Sequence, residues 1–119
     1  MKIIEIAFTG YSVTDLKRAR SFYEGLLLLK PSMVYGDETQ GWIEYDVGNA
    51  TLSIGNIAPD WKSSKDGGCV GFEVEDFDEA IRSLKAGGAT MQEPFESPVC
   101  RMAVVSDPDG NSLVIHKRK

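Results

Sequence analysis

The sequence lacks long apolar runs and has few cysteines, and each shortage excludes a class of protein. The longest apolar runs, such as Leu26–Leu29, contain four residues, whereas a membrane-spanning helix needs about 20. Glu5 interrupts the one apolar stretch near the N-terminus, residues 3–8, so we expect no signal peptide. The two cysteines, Cys69 and Cys100, cannot form a structural zinc site by themselves. We therefore predict a cytoplasmic protein with free thiols and no membrane segment.

Positive charge is also scarce in this sequence. Lys and Arg number 13 against 18 Asp and Glu, so the formal net charge is −5. An acidic surface repels phosphate backbones, and we expect no nucleic-acid partner. The remaining composition is that of an ordinary globular protein, with 42% hydrophobic and 26% charged residues in a chain of 119. This length predicts a single domain over residues 1–119.

One spacing recurs along the chain and indicates two similar half-domains. Asp76 lies 61 residues after Asp15, and the same spacing relates Gly10 to Gly71. It also relates pairs near the ends of the two halves, namely Asp46 with Asp107, Leu52 with Leu113 and Ile54 with Ile115. We predict modules over residues 1–58 and 67–119, joined by a turn-rich linker over residues 59–66.

Each half is predicted to contain a strand, a helix and three further strands. β-Branched and aromatic residues predict first strands at Ile3–Val13 and Cys69–Val74. Asp15 and Asp76 each predict a helix start, because a short carboxylate accepts hydrogen bonds from the exposed backbone amides there. Apolar residues three and four positions apart continue both helices. The other predicted strands are Met33–Tyr35, Trp42–Val47, Ala50–Ile57, Ala89–Glu93, Cys100–Ser106 and Ser112–Lys117.

The repeated βαβββ pattern predicts an α+β fold. One helix covers one face of each sheet, which leaves the other face in need of a partner. If the two sheets pair, their open faces curve around a shared cavity. We therefore predict tandem βαβββ modules that form a curved mixed sheet around a cavity, with the helices on the outer face. Such a cavity is the expected ligand site.

Three segments together carry a family resemblance. They are Val13-Thr14-Asp15 through Phe22-Tyr23, Gly71-Phe72-Glu73-Val74, and Asp107-Pro108-Asp109-Gly110-Asn111. The chain resembles the vicinal oxygen chelate superfamily, which includes glyoxalase I, bleomycin resistance proteins, fosfomycin resistance enzymes and extradiol dioxygenases. In the enzymes of that superfamily, side chains at four repeat-related positions hold a divalent metal, and two vicinal oxygens of the substrate complete its shell.

The resemblance places those four metal-ligand positions at Phe8, Ser53, Cys69 and Val114. Phenylalanine and valine have no ligating atom, a serine hydroxyl is a poor neutral donor, and one cysteine would hold a metal weakly. We therefore predict no metal and no other cofactor. A divalent metal remains an alternative, held by a substitute site of Cys69, Glu73 and His116. Glu73 shares a strand face with Cys69, and His116 shares one with Val114.

Strand alternation predicts which other side chains line the cavity. The apolar residues of the third strand are expected under the helix, which turns Trp42 and Glu44 toward the cavity. The alternative is that Trp42 covers the sheet edge. Trp42 with Phe8 would stack on a planar or cationic ligand, and Glu44 and Glu73 would pair with positive charge. Arg101 either binds an anion or lies on the surface. The predicted ligand-binding residues are Phe8, Trp42, Glu44, Ser53, Cys69, Glu73, Arg101, Val114 and His116.

The resemblance leaves two functions open. Bleomycin resistance proteins bind a cationic antibiotic between two subunits without a metal of their own, which agrees with the missing ligands and the negative charge. This precedent favours a homodimer that binds or sequesters a small organic molecule or antibiotic. The alternative is a divergent metal-dependent lyase, isomerase or dioxygenase acting on a small molecule with vicinal oxygens. Candidate catalytic residues are His116 as a general base and Cys69 as a nucleophile, because these side chains can exchange a proton or attack a substrate near neutral pH.

Overall fold

A computed structural model describes residue 2 and residues 4–119 of the chain. Its contacts divide the chain into two compact units, Met1–Ser63 and Ser64–Lys119. Ile3, at which the first predicted strand begins, lies outside the described residues. None of the helices in the described part of the chain is long and apolar enough to cross a lipid bilayer.

The first unit contains a four-stranded mixed sheet, sheet 1. Its strands are β1 (Thr9–Ser12), β2 (Pro31–Gly36), β3 (Gly41–Val47) and β4 (Ala50–Gly55). Their order is β1-β4-β3-β2, with β1 parallel to β4 and the other neighbours antiparallel. The first strand is shorter than predicted, and residues 4–8 are exposed and outside it. Pairing with β4 begins only where Thr9 meets Leu52, so the β-forming residues before Thr9 are not held in the sheet.

The helical segment of the first unit begins as predicted and then changes its winding. Asp15 caps α1 (Leu16–Arg20), where its carboxylate accepts a hydrogen bond of 3.0 Å from a backbone amide of the first turn. A π-helical segment, Ser21–Leu26, follows directly. This wider winding accompanies the burial of two consecutive aromatic residues, Phe22 and Tyr23. The spacing of the apolar residues did not predict the π-helical segment, because an α-helix and a π-helix would both continue that spacing.

The second unit repeats this arrangement around sheet 2. Its elements are β5 (Val70–Glu73), α2 (Phe77–Ala86), β6 (Thr90–Met91), β7 (Phe95–Glu96), β8 (Cys100–Ser106) and β9 (Ser112–Arg118). The strand order is β5-β9-β8-β6, and β7 also pairs with β8. The predicted strand Ala89–Glu93 is replaced by the two short strands β6 and β7. Pro94, which has no amide hydrogen to donate to a ladder, lies between them.

The two sheets have equivalent register at their parallel strands. Gly10 pairs with Ser53 in sheet 1, and Gly71 pairs with Val114 in sheet 2. Both members of the second pair follow those of the first by 61 residues. The buried apolar residues are Tyr11, Val13, Leu16, Ala19, Phe22, Tyr23, Ile43, Tyr45, Leu52 and Ile54 in the first unit, and Phe77, Ile81, Leu84, Ala103, Val105, Leu113 and Ile115 in the second. The predicted α+β class, with a mixed sheet and one principal helix in each half, is confirmed.

Candidate functional site

Strand β3 divides its side chains between the two faces of sheet 1. Ile43 and Tyr45 are fully buried on the helix side, where the Tyr45 hydroxyl donates a 2.9 Å hydrogen bond to Glu24 of the helical segment. Because consecutive strand residues point to opposite faces, Trp42 and Glu44 lie on the face away from α1.

Three aromatic rings meet on that face, and we refer to Phe8, Trp42 and Trp61 as the aromatic cluster. The rings of Phe8 and Trp42 contact edge to face, with centroids 5.3 Å apart and planes at 84°. The Trp42 and Trp61 rings have centroids 6.1 Å apart and planes inclined by 35°. Phe8 is 49% exposed, and both tryptophans are partly exposed. The cluster therefore presents aromatic surface that a ligand can contact.

Two glycines of sheet 1 provide the space beneath these rings. A Cβ atom at Gly55 would lie 2.7 Å from Cε3 of Trp42, and one at Gly10 would lie 3.2 Å from Cη2 of Trp61. Both separations are shorter than ordinary van der Waals contact. Each position must therefore lack a side chain if its ring is to lie against the strand.

Trp61 is absent from the predicted site residues because it belongs to the segment predicted as a linker. Its carbonyl accepts a 2.7 Å hydrogen bond from the Ser12 hydroxyl, and its amide donates a 3.1 Å bond to the Ala58 carbonyl. These bonds hold its ring beside β1. A large aromatic residue within an otherwise turn-forming segment was the sequence signal that could have identified it.

A pocket of about 290 Å³ borders the aromatic cluster at Trp61. Ligand sites begin at roughly 300 Å³, so this pocket would accept only a small group. Asn56 is one of its polar lining residues, and its side chain accepts a bond from the Gly41 amide and donates one to the Thr39 carbonyl, both at 2.9 Å. Lys62, also in the lining, donates to the Pro59 carbonyl. The pocket thus extends the aromatic cluster with a wall of anchored polar groups.

Glu44 places a carboxylate beside the aromatic cluster. Its Oε2 accepts a 2.9 Å hydrogen bond from Nε1 of Trp42, and the residue is partly buried. Among the residues that the structure describes, Glu44 has no partner of opposite charge. An uncompensated carboxylate next to aromatic faces attracts cations.

On sheet 2, the face away from α2 carries Glu73 and His116. Ile115 is buried on the helix side, so the adjacent His116 points to the other face. Nδ1 of His116 lies 2.6 Å from Oε1 of Glu73, whose Oε2 accepts a 2.7 Å bond from the Arg118 amide. The bond from the Arg118 backbone, followed by the bond to His116, lowers the pKa of Glu73 below its ordinary value. The carboxylate is thereby kept ionised.

Arg101 lies on the helix side of sheet 2, together with Ala103, which is buried there. Its guanidinium is 4.4 Å from the centroid of the Phe77 ring and donates a 2.9 Å bond to Asp78. That hydrogen bond and charge lower the pKa of Asp78 and raise the pKa of Arg101. The structure therefore does not bring Arg101 together with His116, because alternation along β8 directs it to the opposite face.

The side chains at the superfamily's four metal positions do not fit a metal ion. Phe8 and Val114 offer no donor atom. Ser53 is fully buried, and its hydroxyl is 3.4 Å from the carbonyl oxygen of Thr9. Cys69 offers one exposed thiol. A divalent cation needs several oxygen, nitrogen or thiolate donors arranged around it, whereas this set offers one thiol and one neutral, buried hydroxyl group.

The substitute metal site is not assembled either. Glu73 and His116 meet, but within residue 2 and residues 4–119 no group of three His, Cys, Asp or Glu side chains could hold a metal ion. Cys69 therefore does not join the pair as a third ligand. Glu73 and His116 can instead donate and accept hydrogen bonds.

The chain thus consists of two repeated units with matching register, each a mixed sheet with a helix on one face, and these features define a small α+β protein. The chain belongs to the Glyoxalase/Bleomycin resistance protein/Dioxygenase superfamily, whose family model matches residues 5–115. No curated protein sequence matches it.

Solved structures share this fold at low sequence identity. TnmS3, an antibiotic binding protein from Streptomyces sp. CB03234, is 21% identical with a TM-score of 0.83, covering 100% of this chain and 99% of that one. The fosfomycin resistance protein FosX from Listeria monocytogenes is 17% identical with a TM-score of 0.82, covering 99% and 96%. A glyoxalase family protein from Enterococcus faecalis is 19% identical with a TM-score of 0.73, covering 94% and 96%. At these identities the likeness shows the fold alone.

Proposed function

We propose that this protein binds and sequesters a small planar organic molecule on the aromatic cluster, without a metal. The observation that carries the proposal is the position of Phe8, Trp42 and Trp61 on the face of sheet 1 that α1 does not cover. Aromatic rings bury large apolar areas and stack on planar ligands. The fold shared with TnmS3, an antibiotic binding protein, supports an antibiotic or a compound of similar size as the ligand.

Glu44 favours a ligand that carries positive charge. Its carboxylate is partly buried beside Trp42 and has no cationic partner among the described residues. A cation over an aromatic face gains about 0.5–2 kcal/mol, and a carboxylate nearby attracts the same cation through its opposite charge. The net charge of −5 adds a weak attraction over longer distances. We expect planar cations to bind more tightly than planar anions of the same size.

Both tryptophans of the chain belong to the aromatic cluster, so tryptophan fluorescence reports on this site directly. Titration with a planar acridinium dye should quench it to saturation. Trp42→Ala and Trp61→Ala should each weaken binding, measured by calorimetry, by about tenfold, since a stacked ring contributes roughly 1–1.5 kcal/mol.

The matched control is Phe95→Ala, which removes a 61% exposed aromatic ring from sheet 2. This variant should bind the dye with wild-type affinity. Unchanged affinity in both tryptophan variants, or an equal loss in the Phe95 variant, would contradict the proposal.

We also propose that the protein is a homodimer and acts in the cytoplasm. Ile4 and Ile6 are 81% and 82% exposed, and β2, an edge strand of sheet 1, is exposed along its whole length. An exposed apolar edge is a surface that a second copy would cover. Cys69 and Cys100 are free thiols, as suits a reducing compartment. Light scattering should give the mass of two chains, and a single-chain mass at micromolar concentration would contradict the dimer.

A further inference from the structure

Glu73 determines which of the two ring nitrogens of His116 carries the proton in the neutral imidazole. The two residues lie directly opposite each other on the parallel strands β9 and β5. Glu73 approaches Nδ1 of His116 to 2.6 Å with one oxygen, and its other oxygen is fixed by the Arg118 amide at 2.7 Å. An ionised carboxylate only accepts hydrogen bonds, so Nδ1 must carry the proton. The neutral imidazole then has a bare lone pair on Nε2.

That Nε2 atom has no hydrogen-bond partner in the part of the chain that the structure describes. The His116 side chain is 29% exposed, so a small molecule can reach it. Gly71 lies on the same face two residues before Glu73, and a Cβ atom there would meet nothing within 4 Å. The equivalent Gly10 in sheet 1 is covered by Trp61. Sheet 2 therefore has open space at Gly71, on the same face as the unused hydrogen-bond acceptor of His116.

We propose that Nε2 of His116 accepts a hydrogen bond from the acidic hydroxyl group of a small molecule, a phenol or an enol, that lies over Gly71. A hydroxyl group fits because Nε2 offers a lone pair, whereas a carbonyl or an ether oxygen would meet it lone pair to lone pair. Glu73 is the positioning residue, since it decides which nitrogen is the acceptor. All of these residues belong to the second unit, so the proposal stands without the aromatic cluster.

The first test observes the tautomer in the protein itself. His116 is the only histidine, so nitrogen spectra of protein with labelled histidine contain a single imidazole. We expect the neutral ring to carry its proton on Nδ1. In Glu73→Ala the proton should move largely to Nε2, the position that unrestrained histidine side chains prefer. The control Glu75→Ala removes an exposed carboxylate close by in the chain and should leave the wild-type tautomer. A wild-type ring protonated on Nε2 would overturn the proposal.

The second test measures affinity for phenols of increasing acidity, from para-methoxyphenol to meta-nitrophenol. It is done at a pH at which the same spectra show an uncharged imidazole and the phenols keep their protons. Affinity should rise with acidity in the wild type, because a more acidic hydroxyl donates a stronger hydrogen bond. His116→Phe should weaken binding of the most acidic phenol by about tenfold or more and abolish the trend. Glu73→Ala should also abolish it, because Nε2 then carries a proton.

Trp42→Ala separates this site from the aromatic cluster, since it should keep the acidity trend. A trend that survives in His116→Phe or disappears in Trp42→Ala would overturn the proposal, and so would the absence of binding by every phenol. None of these three results bears on dye binding by the aromatic cluster, which is measured separately.

Discussion

Gly10 and Gly71 occupy equivalent positions in the two repeats, but only Gly10 lies beneath an aromatic ring. A Cβ atom at Gly10 would be 3.1 Å from Oγ of Ser53 and 3.2 Å from Cη2 of Trp61, whereas one at Gly71 would meet nothing within 4 Å. The same residue type at related positions thus makes room for a ring in one sheet and leaves open space in the other. This difference can be tested without knowing the ligand.

We predict that Gly10→Ala displaces the Trp61 ring. The added methyl group should change tryptophan emission and lower the free energy of unfolding by about 1 kcal/mol, because it overpacks the contact with Ser53 and Trp61. Fluorescence spectra and urea unfolding measure the two effects. The control is Gly71→Ala, which should leave the emission unchanged. Identical emission changes in the two variants would refute the proposed packing of Trp61.

Leu28 is the one non-glycine residue of the described chain in the left-handed backbone region, with φ of 61°, and its side chain is 75% exposed. A leucine in this conformation is strained by about 1 kcal/mol. We predict that Leu28→Gly raises the free energy of unfolding by roughly 0.5–1 kcal/mol. Leu28→Ala keeps the strain and should give no gain. Urea unfolding of both variants measures this, and an equal gain from alanine would argue against strain as the cause.

At the scale of elements, a chain of hydrogen bonds joins the helical segment of the first unit to β3. The Tyr45 hydroxyl donates to Oε2 of Glu24 at 2.9 Å, and the Arg20 guanidinium binds both Glu24 oxygens, at 2.6 and 3.2 Å. Burial, followed by the bond to Glu24, raises the pKa of Tyr45. The bond to Glu24 also raises the pKa of Arg20. We infer that this chain fixes the π-helical segment over sheet 1.

Tyr45→Phe should lower the free energy of unfolding by about 1–2 kcal/mol, because Glu24 would lose a buried donor. Tyr35→Phe removes a hydroxyl group from a 65% exposed ring and should change it by less than about 0.5 kcal/mol. Urea unfolding at neutral pH compares the two variants. Equal costs would show that the Glu24 bond contributes no stability.

The raised pKa of Tyr45 also predicts a loss of stability in alkali. In the unfolded chain tyrosine loses its proton near pH 10, whereas folded Tyr45 keeps its proton to higher pH. The stabilisation is therefore complete below about pH 10 and declines as the pH rises above it, because ionisation favours the unfolded state first. The stability difference between wild type and Tyr45→Phe should shrink above that pH. A difference that stays constant would contradict the raised pKa.

The elements follow largely from local patterns in the sequence, and the departures have physical causes. Asp15 and Asp76 predicted both helix starts, because capping depends on a side chain and the next few amides. The start of β1 was not predictable, since it depends on where β4 pairs with it. The π-helical segment was also missed, because Phe22 and Tyr23 fit both windings.

The candidate site was less predictable than the elements, because it depends on contacts between residues far apart in the chain. Trp61 is brought to sheet 1 by a hydrogen bond to Ser12, and nothing in the sequence around it indicates that bond. Arg101 is held by a hydrogen bond to Asp78 of α2, and its residue type alone did not indicate this contact. By contrast, strand alternation predicted Glu73 and His116 on the cavity side of their strands, and the pairing of β5 with β9 places them opposite each other.

At the scale of the whole molecule, two units repeat one architecture and differ in the side chains on the sheet faces that lie away from their helices. Sheet 1 carries the aromatic cluster, and sheet 2 carries the pair of Glu73 and His116. The repeat spacing relates His116 to Gly55, the position that makes room for Trp42. The two units thus share one framework, and different residues at equivalent positions give each face its own set of side chains.

The lowered pKa values of carboxylates in both units predict a loss of stability in acid. Backbone amides lower the pKa of Asp37 in the first unit, and the Arg101 hydrogen bond lowers that of Asp78 in the second. Their stabilisation is complete above the unfolded pKa of about 3.9 and is lost as the pH falls through the lower folded values. Thermal midpoints should therefore fall below pH 4, and less steeply in Asp78→Asn. An unchanged slope in that variant would contradict a role for Asp78.

Binding by the aromatic cluster without a metal is tested most directly by titrating the acridinium dye into protein dialysed against a chelator. The same titration is repeated after addition of zinc, nickel, manganese or iron. We predict saturable quenching of tryptophan fluorescence with the same dissociation constant in every case, because Phe8, Trp42 and Trp61 need no cation to bind the dye. Loss of dye binding after dialysis, with recovery on addition of one metal, would contradict it.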